Sequence, residues 1–202
     1  MPGQIYVISG PSGTGKSTII RRVREKTPGL AYSISHTSRA PRGGEQDGLH
    51  YHFVDQGTFR RMIEEGAFAE WAMVYDDYYG TSYASIGNQV DQGGEVIMDL
   101  DPQGARNIKK AYQESILIFI LPPSYGELEK RLRARATDEE KVIQSRLHRA
   151  RQELKECVHY DYLIFNEDLE RAVAETEAVI TANRCKKACR LSMVEEVFHI
   201  TG

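Results

Sequence analysis

Eight consecutive residues, Gly10-Pro11-Ser12-Gly13-Thr14-Gly15-Lys16-Ser17, satisfy the pattern G-x-x-x-x-G-K-[ST] in full. The spacing has a physical reason. Glycines let the backbone curl until successive N–H groups point inward at phosphate oxygens, and a helix starting at the end of the loop adds its positive end. In that arrangement the Lys16 ammonium reaches the β- and γ-phosphates of a nucleoside triphosphate, and the Ser17 hydroxyl is a ligand for Mg²⁺. The plainer alternative is a glycine-rich turn with an exposed lysine. The flanks argue against it, since an apolar run precedes the loop and an amphipathic stretch follows it. The loop names a phosphate donor and leaves the reaction open, because GTPases, transport ATPases and small-molecule kinases all share it.

A second set of residues has the chemistry of an acceptor site. Arg39 and Arg42 flank Pro41 in Ser35-His36-Thr37-Ser38-Arg39-Ala40-Pro41-Arg42-Gly43-Gly44-Glu45, which Gly48 and Tyr51 follow. Two arginines around a proline-fixed turn make a rigid fork suited to a terminal phosphate. Further on come Glu70-Trp71-Ala72 and Tyr78-Tyr79-Gly80-Thr81-Ser82. A carboxylate on a strand can accept from paired N–H donors on a base edge, and tyrosine hydroxyls can bind phosphate. Each feature alone has an ordinary reading, as an exposed basic turn, a solvated strand carboxylate or packed tyrosines.

These residues need elements to hold them. Gln4–Ser9 reads as a buried strand, and residues 15–26 as the helix after it, stopped by Pro28-Gly29. Residues 95–100, 115–121 and 162–165 are further short apolar runs, each followed by helical spacing. Strands alternating with helices predict an α/β fold, a mostly parallel sheet with helices on both faces. From residue 32 to 83 the rhythm breaks into short alternating pieces separated by turns such as Pro41-Arg42-Gly43-Gly44, which predicts a small antiparallel insert. Residues 131–160 are arginine-rich, with few large apolar residues through their middle, and read as a helical lid that closes on substrate. The expected organisation is one domain, with a core of 1–32, 84–130 and 161–202, an acceptor insert of 33–83 and a lid of 131–160.

Composition limits the partners. The 202 residues suffice for one hydrophobic core, and 41% hydrophobic with 27% charged content is ordinary for a globular chain. A net charge of −3 advertises neither nucleic acid nor an anionic membrane surface, so an anionic substrate must be met by a local basic site. Cys157, Cys185 and Cys189 form no paired framework, which suits a reducing compartment, and no neighbouring His or Cys pair completes a zinc set. The start, MPGQIYVISG, has no signal-peptide pattern, and no run reaches membrane-spanning length. The expected location is the cytoplasm.

Taken together and in this order, the motifs resemble those of the guanylate kinase family, from the phosphate loop to about Arg184. The resemblance implies a P-loop nucleoside monophosphate kinase core that transfers the γ-phosphoryl group of ATP to GMP, and to dGMP, giving ADP and GDP. It implies that Arg39, Arg42, Tyr51 and Tyr79 hold the GMP phosphate and that Ser35, Glu70 and Thr81 recognise guanine. Asp99-Leu100-Asp101-Pro102-Gln103-Gly104 matches the family's acidic strand end. Its aspartates orient a magnesium-bound water and the acceptor nucleotide, and the division of labour between Asp99 and Asp101 stays open. Arg131-Leu132-Arg133-Ala134-Arg135-Ala136-Thr137-Asp138 resembles the family's R-L-x-x-R-G-T-D/E stretch, with Arg146 eleven positions beyond Arg135. Arg135 and Arg146, with Lys16 and Arg42, then serve the transferring phosphoryl group as catalytic cations. Ala136 departs from the family's usual glycine and would be strained if that position needs positive φ. Asn166 stands where the family's asparagine lies near the adenine.

Two other readings compete. A kinase for another nucleotide or a phosphorylated sugar could use the same scaffold, but a sugar kinase has no need of Ser35, Glu70 and Thr81. A non-catalytic protein-binding module of guanylate-kinase type is the other, and such modules commonly lack the phosphate loop that this chain keeps whole. The expected partners are therefore ATP and GMP, with Mg²⁺, and neither nucleic acid nor membrane. Residues 192–200 are expected to pack back on the core; contact with a second copy, giving a homo-oligomer, is the alternative.

Overall fold

The computed structural model describes residues 3–74, 76–134 and 140–199. The first half of the chain forms β1 (Gln4–Ser9), α1 (Lys16–Lys26), β2 (Leu30–Tyr32), β3 (His36–Thr37), β4 (His52–Phe53), α2 (Gln56–Glu64), β5 (Phe68–Val74), β6 (Asp77–Ser82) and α3 (Tyr83–Val90). The second half forms β7 (Glu95–Asp99), α4 (Pro102–Ala111), β8 (Ile116–Leu121), α5 (Tyr125–Ala134) and α6 (Glu140–Lys155). A 3₁₀ turn at Glu156–His159 then leads into β9 (Tyr162–Phe165), α7 (Leu169–Arg184) and α8 (Lys187–Phe198). The strands make a five-stranded sheet of order β2-β7-β1-β8-β9 and a four-stranded sheet of order β4-β3-β6-β5.

The chain divides into two compact units, one from Gly10–Pro28 and Ile118–Gly202, the other from Gly3–Ser9 and Gly29–Leu117. In the second unit β1 and β2 pair with β7 in parallel, Gln4 opposite Glu95 and Leu30 opposite Glu95. Ile5, Val7, Ile8, Val96, Ile97 and Met98 are buried, the continuous apolar pattern of strands covered on both faces. The same unit holds the small sheet. There β6 pairs antiparallel with both β3 and β5, while β4 lies parallel to β3. The parallel pair has a simple cause. A two-residue hairpin would reverse the chain, but β3 and β4 are joined by the long turn-rich segment 38–51, which lets β4 enter in the same direction.

In the first unit β8 and β9 pair in parallel and α1 packs on α7; Ile19, Ile20 and Val23 of α1 and Ala172, Val173 and Ile180 of α7 are buried. The segment 131–160, expected to be a lid with few large apolar residues through its middle, shares a small core with the first part of α5. Leu128 and Leu132 of α5 meet Ile143, Leu147 and Ala150 of α6, with Tyr125 beside them. A single stripe at i, i+4 and i+7 suffices for this, and the charged residues around it conceal it in the average composition. Among the described residues no helix is long and apolar enough to cross a membrane.

Candidate functional site

In the first unit residues 10–17 form the phosphate loop. Gly10, Gly13 and Gly15 there take φ of 141°, 91° and 93°, where a side chain is strained. Space forbids one as well. A Cβ on Gly10 would lie 2.4 Å from the Ile120 carbonyl oxygen, and one on Gly15 would lie 2.4 Å from Asn166 Nδ2. Thr14 is fully buried and donates from its hydroxyl to the Pro11 carbonyl at 2.9 Å, closing the turn. Asn166 Nδ2 donates to the Thr14 carbonyl at 2.7 Å, and the Asn166 backbone N–H donates to Leu121 at 2.8 Å. Asn166, expected near an adenine, is thus buried beneath the loop and braces it.

Lys16 opens α1, and its ammonium donates back to the carbonyls of Gly10 at 2.8 Å and Pro11 at 3.3 Å. Ser12 and Ser17 are exposed, so the Ser17 hydroxyl is open to a ligand. The helix N-terminus carries no side-chain capping bond; its N-cap is Gly15 in the left-handed region. Arg131 belongs to the lid motif, and the sequence gives it no role. Its guanidinium donates to the Asn166 carbonyl at 3.3 Å and pairs with Glu127, four residues earlier on α5. Arg146 is half-buried on α6 beside the Ile143–Leu147 stripe. Arg135 and Ala136 lie outside the described residues.

In the second unit Ser35, Glu70 and Thr81 converge. Strand alternation in β5 turns Phe68, Glu70 and Ala72 inward and Trp71 and Met73 outward. Glu70 is therefore only 6% exposed. It faces Thr81 across the β5–β6 pair, and the Ser35 and Thr81 hydroxyls are 3.2 Å apart. Burial pushes the Glu70 carboxyl up to about 7, and the nearby Asp101 carboxylate adds to the rise, while hydrogen bonds from the Thr81 hydroxyl and N–H oppose it. A buried carboxylate beside two hydroxyls, with too few donors to hold its charge at the ordinary value, is a hydrogen-bond acceptor in search of donors.

A cationic site is built in the same unit. Arg39 is gripped by Glu45 in a two-pronged pair, both N–O distances 2.9 Å, and its Nε donates to the Tyr79 hydroxyl at 3.2 Å. Its guanidinium lies 5.5 Å from the centre of the Tyr51 ring. Glu45 raises the Arg39 guanidinium further above its ordinary value, and Arg39 in turn lowers the Glu45 carboxyl. Burial drives the Tyr51 phenol up to about 12, with Asp99 contributing, so it stays a protonated donor. Arg42 has an exposed side chain, and its backbone N–H donates to Glu45 Oε2 at 2.7 Å. The sequence gives Glu45 no role. Its only signal was an acid a few residues after two arginines.

Asp99 ends β7, paired with Ile8. Asp101 is the N-cap of α4 and accepts from the Gly104 N–H at 2.8 Å, so one of its oxygens is a helix cap as well as part of the acidic strand end.

The guanylate kinase family model matches residues 3–183. A guanylate kinase of Carboxydothermus hydrogenoformans is 49% identical over 184 residues, covering 91% of this chain and 90% of its own length. A guanylate kinase of Syntrophotalea carbinolica is 46% identical over 198 residues, covering 98% and 94%. The crystal structure of guanylate kinase from Anaplasma phagocytophilum matches with a TM-score of 0.78 at 32% identity, over 99% of this chain and 97% of that one.

Proposed function

The chain belongs to the guanylate kinase family, and we infer from that membership that it transfers the γ-phosphoryl group of ATP to GMP, giving ADP and GDP. The observation that carries the acceptor is the buried Glu70 carboxylate beside the Ser35 and Thr81 hydroxyls. Guanine presents a ring N–H and an amino group side by side, next to a carbonyl. One carboxylate accepts both donors, and the hydroxyls serve the remaining edge. Adenine lacks the donor pair and would leave Glu70 buried without partners.

The residues divide the work by charge. Arg39, Arg42, Tyr51 and Tyr79 supply donors for the acceptor phosphate, with Glu45 fixing the plane of Arg39. The phosphate loop supplies inward N–H groups for the ATP phosphates, and Lys16 exchanges its two loop carbonyls for β- and γ-phosphate oxygens. Arg135 and Arg146 offset the negative charge on the transferring group. The acceptor oxygen is already largely ionised at neutral pH, since a phosphate's second pKa is about 6. No side chain therefore has to act as general base, and catalysis rests on in-line positioning and charge stabilisation.

Mg²⁺ fits the donor set. It prefers hard oxygen ligands, keeps several waters and takes much of its coordination from substrate phosphates. One exposed hydroxyl at Ser17, with Asp99 acting through a water, meets that need without a cluster of acids, and no such cluster occurs among the described residues. When bound, the ion neutralises charge on the β- and γ-oxygens. The acceptor residues address phosphate and base rather than the ribose 2′ position, so dGMP is a second acceptor. The activity belongs to purine nucleotide metabolism in the cytoplasm.

A coupled assay of ADP formation with GMP, AMP, CMP and UMP tests the reading. GMP should exceed AMP in kcat/KM by about 10³-fold or more. Comparable rates with AMP would refute the acceptor assignment and leave the ATP assignment standing.

A further inference from the structure

Four glycines sit within helices among the described residues: Gly57 in α2, Gly87 in α3, Gly104 in α4 and Gly126 in α5. Glycine is a poor helix residue, so each needs a reason. Gly104 has no backbone reason, since its φ lies outside the left-handed region. It has a steric one. A Cβ at 104 would stand 2.8 Å from Glu70 Oε2, 3.3 Å from Glu70 Cδ and 3.4 Å from Leu100 Cβ. At Gly87 and Gly126 a Cβ would meet its first neighbour only at 3.6 Å and 3.9 Å, and at Gly57 it would meet a cap carboxylate at 3.0 Å.

We propose that Gly104 is a specificity-determining position, whose bare Cα leaves the space that sets the Glu70 carboxylate where it can take both donors of guanine. The inference rests on the reading of Glu70 as the guanine acceptor and names what fixes that acceptor in place. Thr81 holds the carboxylate from one side through its hydroxyl and N–H, and the first turn of α4 bounds it on the other. The β5–β6 ladder fixes the stem, Glu70 opposite Thr81. A methyl group at 104 thus meets the flexible end of a side chain whose backbone is paired in the β5–β6 ladder. The carboxylate must shift by roughly half an ångström, which matters because paired hydrogen bonds weaken steeply with misalignment.

The backbone of α4 has no need to yield, so Gly104→Ala should fold with a Tm equal to or above that of the wild type. Its KM for GMP should rise at least about tenfold, with kcat changed less than about threefold and the KM for ATP unchanged. Inosine monophosphate keeps the ring N–H and lacks the amino group, so the ratio of kcat/KM for GMP over inosine monophosphate should fall in the variant. That ratio would not move if Gly104 were merely structural. In a Glu70→Gln background the same substitution should change the GMP KM less than about twofold, because the side chain it acts through is already altered. Gly87→Ala is the control and should leave all these values alone.

A folded Gly104→Ala enzyme with wild-type GMP KM and wild-type selectivity overturns the proposal. So does an undiminished effect in the Glu70→Gln background, which would place the action elsewhere, or a variant that does not fold. A wild-type enzyme indifferent between GMP and AMP overturns the acceptor reading and this inference together. A selective wild type with an unaltered variant overturns this inference alone.

Discussion

Replacing Glu70 with glutamine should stabilise the protein while damaging its recognition of the base, and the size of the gain should depend on pH. Burial raises the Glu70 carboxyl from 4.5 to about 7. A carboxyl with a raised folded-state value contributes stability that is fully present below pH 4.5 and lost as pH rises through about 7, because ionisation is easier in the unfolded chain. The total loss is about 3 kcal/mol at 1.36 kcal/mol per tenfold change in ionisation. Glu70 is 6% exposed, so solvent screening does little to reduce it. Between pH 5.5 and 8.5 the part that changes is about 2 kcal/mol. Glutamine keeps the shape and cannot ionise. The Tm advantage of Glu70→Gln over wild type should therefore widen by about 4–8 °C across that range, at 2–4 °C per kcal/mol for a chain of this size. Parallel thermal unfolding of the two proteins in matched buffers, without nucleotide, measures this. A Tm difference that stays flat from pH 5.5 to 8.5 would falsify the claim that a strained, buried carboxylate sits at position 70.

Other substitutions separate the roles of the remaining residues. Lys16→Ala should lower kcat by two orders of magnitude or more, about 3 kcal/mol of transition-state stabilisation, in a folded protein; a folded variant keeping over about a tenth of wild-type kcat removes Lys16 from that role. Arg42→Ala should act mainly on the KM for GMP, and Arg146→Ala mainly on kcat; finding the two effects exchanged contradicts the division between acceptor binding and chemistry. Glu45→Gln should raise the KM for GMP about tenfold with a smaller change in kcat, since Arg39 loses the anion that aligns it. An unchanged KM there would mean that Arg39 needs no such partner.

What could be read from the sequence was what is contiguous or periodic. The phosphate loop is written in eight adjacent residues, and its chemistry is carried by the backbone, so glycine positions alone reveal it. The parallel strands β1, β7 and β8 appeared as apolar runs, and the inward side of β5 follows from alternation once Phe68, Glu70 and Ala72 are seen to share a face. Contacts across long separations were hidden. Nothing near Asn166 says that its amide braces Thr14, 152 residues away. Nothing around Gly104 says that its missing side chain is filled by a carboxylate from another element. Glu45 lay in plain view beside Arg39 and Arg42, yet a charge in a loop reads as solvated until its two oxygens are found on one guanidinium. The α5–α6 contact is hidden because composition averages over a stripe that only helical phase reveals.

The two candidate sites break local rules in opposite senses, and that opposition supports the ligands proposed for them. Helices α2, α3, α4 and α7 are capped by Asp55, Ser82, Asp101 and Asp168, each accepting from a first-turn N–H. Helices α1 and α8 have neither a side-chain cap nor an acid in the first turn, and α1 begins at Gly15, at the end of the glycine loop. The first-turn N–H groups and positive end of α1 suit a phosphate. Glu70 is the converse, an acceptor buried so that its charge is under-compensated, which is the demand of paired N–H donors. A phosphate satisfies the first and cannot satisfy the second. A guanine edge satisfies the second and cannot satisfy the first. The loop alone would suit any nucleoside triphosphate and the fold alone many kinases, so the proposed choice of acceptor rests on Glu70, a carboxylate whose burial works against the stability of the protein that contains it.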